Sequence, residues 1–124
     1  MSKEVLKQIL IDLDTFIAQH AIYVSKLERA IKNRDNFTHK TCHECDFGVI
    51  WDSKVAPIKD SFPDNIKSIV DEIERIHCEF HEISMQIDPK NFQTSDEEKI
   101  KKMKKLSNLL FQQLLALKRL TKEE

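Results

Sequence analysis

LKQILIDLDTFIAQHAIYVSKLERAI, residues 6–31, places Leu6, Leu13, His20 and Leu27 at seven-residue intervals. Ile9/Leu10, Phe16/Ile17, Tyr23/Val24 and Ile31 fall between them and complete an apolar stripe. Apolar residues at alternating three- and four-residue spacing share one face of an α-helix, which predicts a first helix from Ser2 to Asn33. His20 is the one polar residue in that row. A buried imidazole needs a partner for its ring nitrogens, either a hydrogen bond or a metal.

Outward from this stretch, periodicity stops at Arg34 and polar residues run to Thr41, which reads as a loop. CHECDFGVIWDSK, residues 42–54, holds the only glycine of the chain, three positions after Cys45. A sharp reversal or a close backbone approach explains a glycine there, and a turn followed by a short helix is expected. Ser61-Phe62-Pro63-Asp64 has the form of a helix start, with serine as cap and proline in the first turn. The third segment is predicted to run from there to Asp88. Its stripe of Ile66, Ile69/Val70, Ile73, Ile76/His77, Phe80/His81, Ser84 and Ile87 carries two histidines in the apolar row.

A last helix is expected from Ser95, where Ser95 and Glu98 have capping-box spacing. Ile100, Met103, Leu106, Leu110, Leu114, Leu117 and Leu120 form its stripe, and Leu109, Phe111 and Leu115 widen it. A homodimer contact would account for that width, as would cover for the short second segment. With one glycine and three prolines there is little material for hairpin turns. The prediction is an all-α fold: a four-helix bundle with a short cysteine-bearing helical insert between the first and third segments, forming one domain over 1–124.

Composition excludes several functions. A net charge of −1 exerts no pull on nucleic acid, and the lysines at 99, 101, 102, 104 and 105 follow Asp96, Glu97 and Glu98, as on a solvated helix face. No apolar run is long enough to insert in a membrane, and charges interrupt the first sixteen residues, so no signal peptide is read there. The setting expected is cytoplasmic, where cysteines serve more often as metal ligands or redox thiols than in disulfides.

His77 and His81 are one helical turn apart, so both imidazoles reach one point on a helix face. With His20 and a cysteine from the glycine-bearing turn they make a borderline-soft donor set that suits zinc over magnesium or calcium. Cys42 and Cys45 form a Cys-x-x-Cys pair, so Cys42, Cys45, His77 and His81 are a rival set, one that leaves His20 without a partner. Four protein ligands close a site and leave no position for a reactive water. Cys78 points about 100° away from His77 around the helix, toward core packing or a weakly exposed thiol. His39 and His43 lie in the polar stretch and are read as solvated.

His20-Ala-Ile-Tyr23, Cys45-Asp-Phe-Gly48 with Trp51, and His77-Cys-Glu-Phe-His81 together resemble the chemoreceptor zinc-binding (CZB) domain. That bacterial cytoplasmic family has a first-helix histidine, a Cys-x-Phe-Gly-x-Trp element and a late His-x-x-x-His pair. The resemblance covers most of the chain, from about Leu6 to Asp88 and on into the closing helix. It implies His20, Cys45, His77 and His81 as the ligands of a zinc ion, and a sensory module of chemotaxis or cyclic-di-GMP signalling. It also implies sensing of zinc or oxidants and dimeric assembly; a homodimer and a signalling-protein partner in trans are the partners expected. Two positions depart from the pattern: Tyr23 stands where the family has tryptophan, and Trp51 lies one residue later than the family's.

Other chemistries fit less well. A zincin helix has its general-base glutamate directly after the first histidine, where this chain has Cys78. Hemerythrin-type di-iron binding needs a carboxylate where Val24 stands, and thioredoxin-type redox chemistry needs strands that are not found. The expectation is a zinc module that is not an enzyme. Cys45 is its redox-sensitive candidate, because a zinc-bound thiolate stays nucleophilic. The alternatives are a permanent structural zinc staple and, further off, a metal-dependent hydrolase.

Overall fold

The computed structural model describes residues 2–122; Met1, Glu123 and Glu124, the ends of the expected 1–124 domain, lie outside the described residues. Helices α1 (Ser2–Leu10), α2 (Leu13–Asn33), α3 (Asp46–Lys54), α4 (Asp64–Met85) and α5 (Asp96–Lys122) follow in order, with 3₁₀ turns at Ala56–Ser61 and Pro89–Asn91. No strand occurs among the described residues. The fold is all-α as predicted, with α1, α2, α4 and α5 making the bundle and α3 the insert. Among the described residues no helix is long and apolar enough to cross a membrane.

The predicted first helix is in fact two. Ile11 and Asp12 form a turn in which the Asp12 N–H donates to the Ile9 carbonyl, and the ladder restarts with the Phe16 N–H on the Asp12 carbonyl. Asp12 and Asp14 suit the positive N-terminal end of a new helix better than a helix interior. The stripe survives the break: Leu6, Leu13, His20 and Leu27 are all buried, while Ile11 is 70% exposed at the turn.

Other boundaries shift by a few residues. α4 begins after Pro63, and the Ser61 hydroxyl donates to the Ile58 carbonyl within the preceding 3₁₀ turn instead of capping α4. It ends at Met85, and Asp88 caps the next turn through the Lys90 N–H. The start of α5 is organised by Asp96, whose carboxylate accepts from the Gln93 N–H and pairs with Lys99, and not by Ser95 with Glu98.

α4 and α5 pack antiparallel, and the other flank of α5 meets α1 and α2. Ile100, Met103, Leu106, Leu110, Leu114 and Leu117 are buried in this seam. The inner part of the α5 stripe therefore faces α1, α2 and α4. Leu109 and Leu115 remain half-buried at its edge and Phe111 is 36% exposed. α2 and α4 run side by side in the same direction, bringing His20 against His77 and His81, and Tyr23 against Ser84. Burying each large apolar side chain in this core contributes about 1.5–3 kcal/mol, which is what holds polar imidazoles in place between the helices.

Candidate metal centre

The cysteine-bearing turn is shaped by its glycine. Cys45 is the N-cap of α3, and its Sγ accepts a hydrogen bond from the Gly48 N–H at 3.3 Å. A Cβ at residue 48 would lie 1.7 Å from the Cys42 carbonyl oxygen, so only glycine lets the turn fold this tightly. The close approach read from the sequence is present. Phe47 and Trp51 then point inward and are buried, whereas Val49 is 53% exposed. Trp51 donates from Nε1 to a Glu74 carboxylate oxygen at 2.9 Å, and Lys59 holds the other oxygen at 2.9 Å. The insert is thereby fixed to α4, and the one-residue displacement of the tryptophan leaves it a packed role.

From α2, the turn before α3 and α4, the metal-binding atoms of His20, Cys45, His77 and His81 come within 4.8 Å of one another. The Cys45 Sγ lies 3.2 Å from His77 Nε2. The rings stack edge to face, with centroids 5.0 Å apart for His20 and His77 and 4.8 Å for His77 and His81. Zinc bonds of about 2.0–2.3 Å in a tetrahedron set neighbouring ligand atoms roughly 3.3–3.6 Å apart; the Cys45–His77 pair is close to that spacing and the other atoms lie within 4.8 Å.

The hydrogen bonds define which nitrogens are free. His20 Nδ1 donates to the Phe16 carbonyl and His81 Nδ1 to the Lys40 carbonyl, each at 2.8 Å. Those bonds place the ring protons on Nδ1 and leave the Nε2 lone pairs facing inward, the outer-sphere arrangement of metal-bound histidines. His20 Nε2 and His81 Nε2 are buried without a hydrogen-bond partner among the described residues. An orphaned buried nitrogen costs about 1–3 kcal/mol, and two aimed into one cluster fit a metal ion.

Electrostatics agree. Burial holds His20, His77 and His81 below the usual histidine range, His81 at about 4, and neighbouring imidazoles add to the effect at His77 and His81. All three are therefore neutral imidazoles at neutral pH, the form in which histidine can bind a metal. Burial pushes the Cys45 thiol up, against the Gly48 and Phe47 N–H groups that favour its anion. Without a cation Cys45 is a thiol; zinc would displace its proton. An open cleft of about 620 Å³ between α2 and the loop 35–41 reaches His20, Cys45 and His81 from outside.

The sequence pattern of the chemoreceptor zinc-binding domain matches residues 20–87, just over half of the chain, from His20 past His81. The chain belongs to that family. No curated protein and no solved structure matches it significantly. As a CZB domain it is a zinc-binding signalling module, and three imidazoles with one thiolate fit that metal by hardness and number.

The other cysteines depart from expectation. Cys42, read as half of a Cys-x-x-Cys pair, and Cys78, read as packed or weakly exposed, form a disulfide across a sequence separation of 36. Cys45 is the free cysteine. The tight turn over Gly48 lays Cys42 on α4, and position 78, rotated about 100° from His77, faces it. With its sulfur bonded to Cys78, Cys42 has no thiolate to offer the rival Cys42/Cys45 ligand pair. His39 is also not solvated: it is half-buried, with Nε2 on the Ile87 carbonyl at 2.8 Å. His43 is exposed and pairs with Asp52 at 2.7 Å.

Sequence reasoning missed the groups that orient the cluster's imidazoles. Lys40 supplies the carbonyl under His81, and its N–H donates to the Tyr23 hydroxyl, which bonds Ser84 Oγ at 2.6 Å. Backbone carbonyls leave no signature in side-chain pattern. Ser84 stood in the apolar row of the third segment as a small polar residue, which was the available signal.

Proposed function

We propose that this chain is one CZB domain spanning 1–124 in which His20, Cys45, His77 and His81 hold a single zinc ion in a closed site. In this reading it is a cytoplasmic sensory module, not an enzyme. The observation that carries it is the pair of orphaned nitrogens, His20 Nε2 and His81 Nε2, facing the Cys45 and His77 donors. Zinc supplies charge and a fixed geometry that ties α2, the α3 turn and α4 together. Loss of zinc, or oxidation of Cys45 to a sulfenic acid, removes a ligand and loosens that junction. A signalling partner in trans, or a second copy, reads the change in helix packing.

The placement of Glu79 supports a non-catalytic site. Its carboxylate pairs with Arg75 and Lys102 on the surface, so it is no general base for a zinc-bound water. Metal content per chain tests the ligand set: wild type and Cys42→Ala are expected to carry one zinc, and His20→Ala and Cys45→Ala none. Zinc retained by His20→Ala but lost from Cys42→Ala would overturn it. A zinc affinity so tight that the site never empties would favour a structural staple over a sensor.

The family's chemoreceptor setting also supports a homodimer, and the α5 edge with Phe111, Leu109 and Leu115 is the face we assign to it. Sedimentation of wild type is expected to show a dimer and Phe111→Glu a monomer. A monomer at all concentrations for both would remove this assignment.

A further inference from the structure

The Cys42–Cys78 bridge lies outside the four-residue cluster but touches it on both sides. Cys42 is three residues before Cys45, in the same glycine-locked turn, and Cys78 directly follows His77 on α4. The ligand atoms of Cys42, Cys78 and His77 fall within 4.8 Å of one another. Beside the bridge is a second cleft, of about 320 Å³, on whose walls stand the His43–Asp52 pair and the Lys59–Glu74 pair. Cys42 is buried while Cys78 is half-exposed, so Cys78 is the sulfur a small molecule in that cleft meets. The cleft walls carry both signs of charge, which suits a zwitterionic peptide thiol.

We propose that Cys42 and Cys78 are a reversible redox site, closed and opened in this cleft by exchange with a low-molecular-weight disulfide and its thiol, that sets how firmly Cys45 and His77 hold zinc. To close the bridge, the Cys78 sulfur displaces one thiol from the small disulfide and forms a mixed disulfide. The Cys42 sulfur then attacks Cys78 and releases the second thiol. Two S–H bonds of the protein and one S–S bond of the small molecule are exchanged for one protein S–S bond and two small-molecule thiols. The protein loses two electrons and two protons, and the small disulfide gains them. The reverse sequence opens the bridge. In a reducing compartment a disulfide of this kind is a transient, state-reporting bond and not a permanent staple.

The coupling to zinc follows from the tether. With the bridge closed, the turn bearing Cys45 stays on α4 whether or not the ion is bound, so zinc finds its thiol beside His77. With the bridge open, zinc binding must first order the turn, which weakens its apparent affinity. This second step rests on the reading that Cys45 and His77 are zinc ligands; the redox step does not.

The test uses the full chain equilibrated in glutathione buffers from fully reduced to fully oxidised, then acid-quenched, alkylated under denaturing conditions and peptide-mapped. The expected result is a transition from three alkylated cysteines to one, Cys45, with a Cys42–Cys78 crosslinked peptide. No bridge at any ratio, or a Cys42–Cys45 bridge, overturns the proposal. In parallel, zinc affinity is measured by competition with a chromophoric chelator. The oxidised wild type is expected to bind zinc about tenfold tighter than the reduced wild type, and Cys42→Ser and Cys78→Ser to match the reduced value in both buffers. Equal affinities overturn the coupling. A chain that forms the Cys42–Cys78 bridge yet binds no zinc in either state overturns the ligand reading and the coupling with it, while the redox site stands.

Discussion

Gly48 has one consequence that can be isolated by a single methyl group. In Gly48→Ala the new Cβ would sit 1.7 Å from the Cys42 carbonyl oxygen, and both partners are backbone, so the turn itself must open. Strain of this kind costs about 1–3 kcal/mol or more. Because Cys45 sits inside that turn, the expected outcome is a lower melting temperature together with weaker zinc binding by chelator competition. Unchanged affinity would mean that the turn and the ligand are independent. The role of Gly48 was legible from sequence, since a lone glycine in such a chain asks for a steric reason. His20 was legible because it interrupts a seven-residue apolar row, and His77 and His81 because four residues bring them onto one face. The Cys42–Cys78 pairing was not, since a separation of 36 residues carries no information about which sulfurs meet in space.

Between elements, the fold is held at the site by a polar strap that the apolar pattern does not describe. The Tyr23 hydroxyl bonds Ser84 Oγ at 2.6 Å and accepts from the Lys40 N–H at 3.2 Å, so one phenol joins α2, α4 and the loop whose carbonyl orients His81. Tyr23→Phe removes both bonds and keeps the ring that packs on His81 with centroids 5.0 Å apart. Losing a hydrogen bond and stranding its partner costs about 1–3 kcal/mol. The expected result is that loss in a denaturant titration with one zinc per chain retained, because no proposed ligand is touched; loss of the metal as well would make the phenol part of the site. At this scale the sequence fixes which segments are helical and misses where they break. The stripe passes through the turn at Ile11 and Asp12 because Leu6 and Leu13 keep their phase across it, and a periodicity that continues gives no sign of an interrupted ladder. The width of the α5 stripe was visible too. Its cause was not, because one helix touching three others and one helix touching a second copy demand the same residues.

For the molecule as a whole, the turn bearing Cys45 is joined to α4 by a covalent bond at Cys42–Cys78 and by the donor cluster at Cys45 and His77, besides the Trp51–Glu74 hydrogen bond further along the insert. A disulfide closing a loop of 36 residues removes denatured-state entropy equivalent to about 3–4 kcal/mol, a large share of the 5–15 kcal/mol by which domains are ordinarily stable. The two fastenings act on the same turn, so they must be linked, and linkage is reciprocal. If the closed bridge raises zinc affinity, bound zinc must favour the closed bridge by the same factor. A tenfold gain in affinity then requires a tenfold shift in the dithiol–disulfide equilibrium, which for a two-electron couple is about 30 mV toward more reducing potential. Titration of the zinc-loaded and zinc-free chain in the same glutathione series, with the extent of alkylation read by mass, measures that shift directly. A shift of the opposite sign would mean that zinc draws Cys45 away from the bridged arrangement, so that metal and disulfide compete for the turn. A shift equal to the affinity ratio closes the thermodynamic cycle and makes the domain one whose zinc occupancy depends on the thiol poise around it.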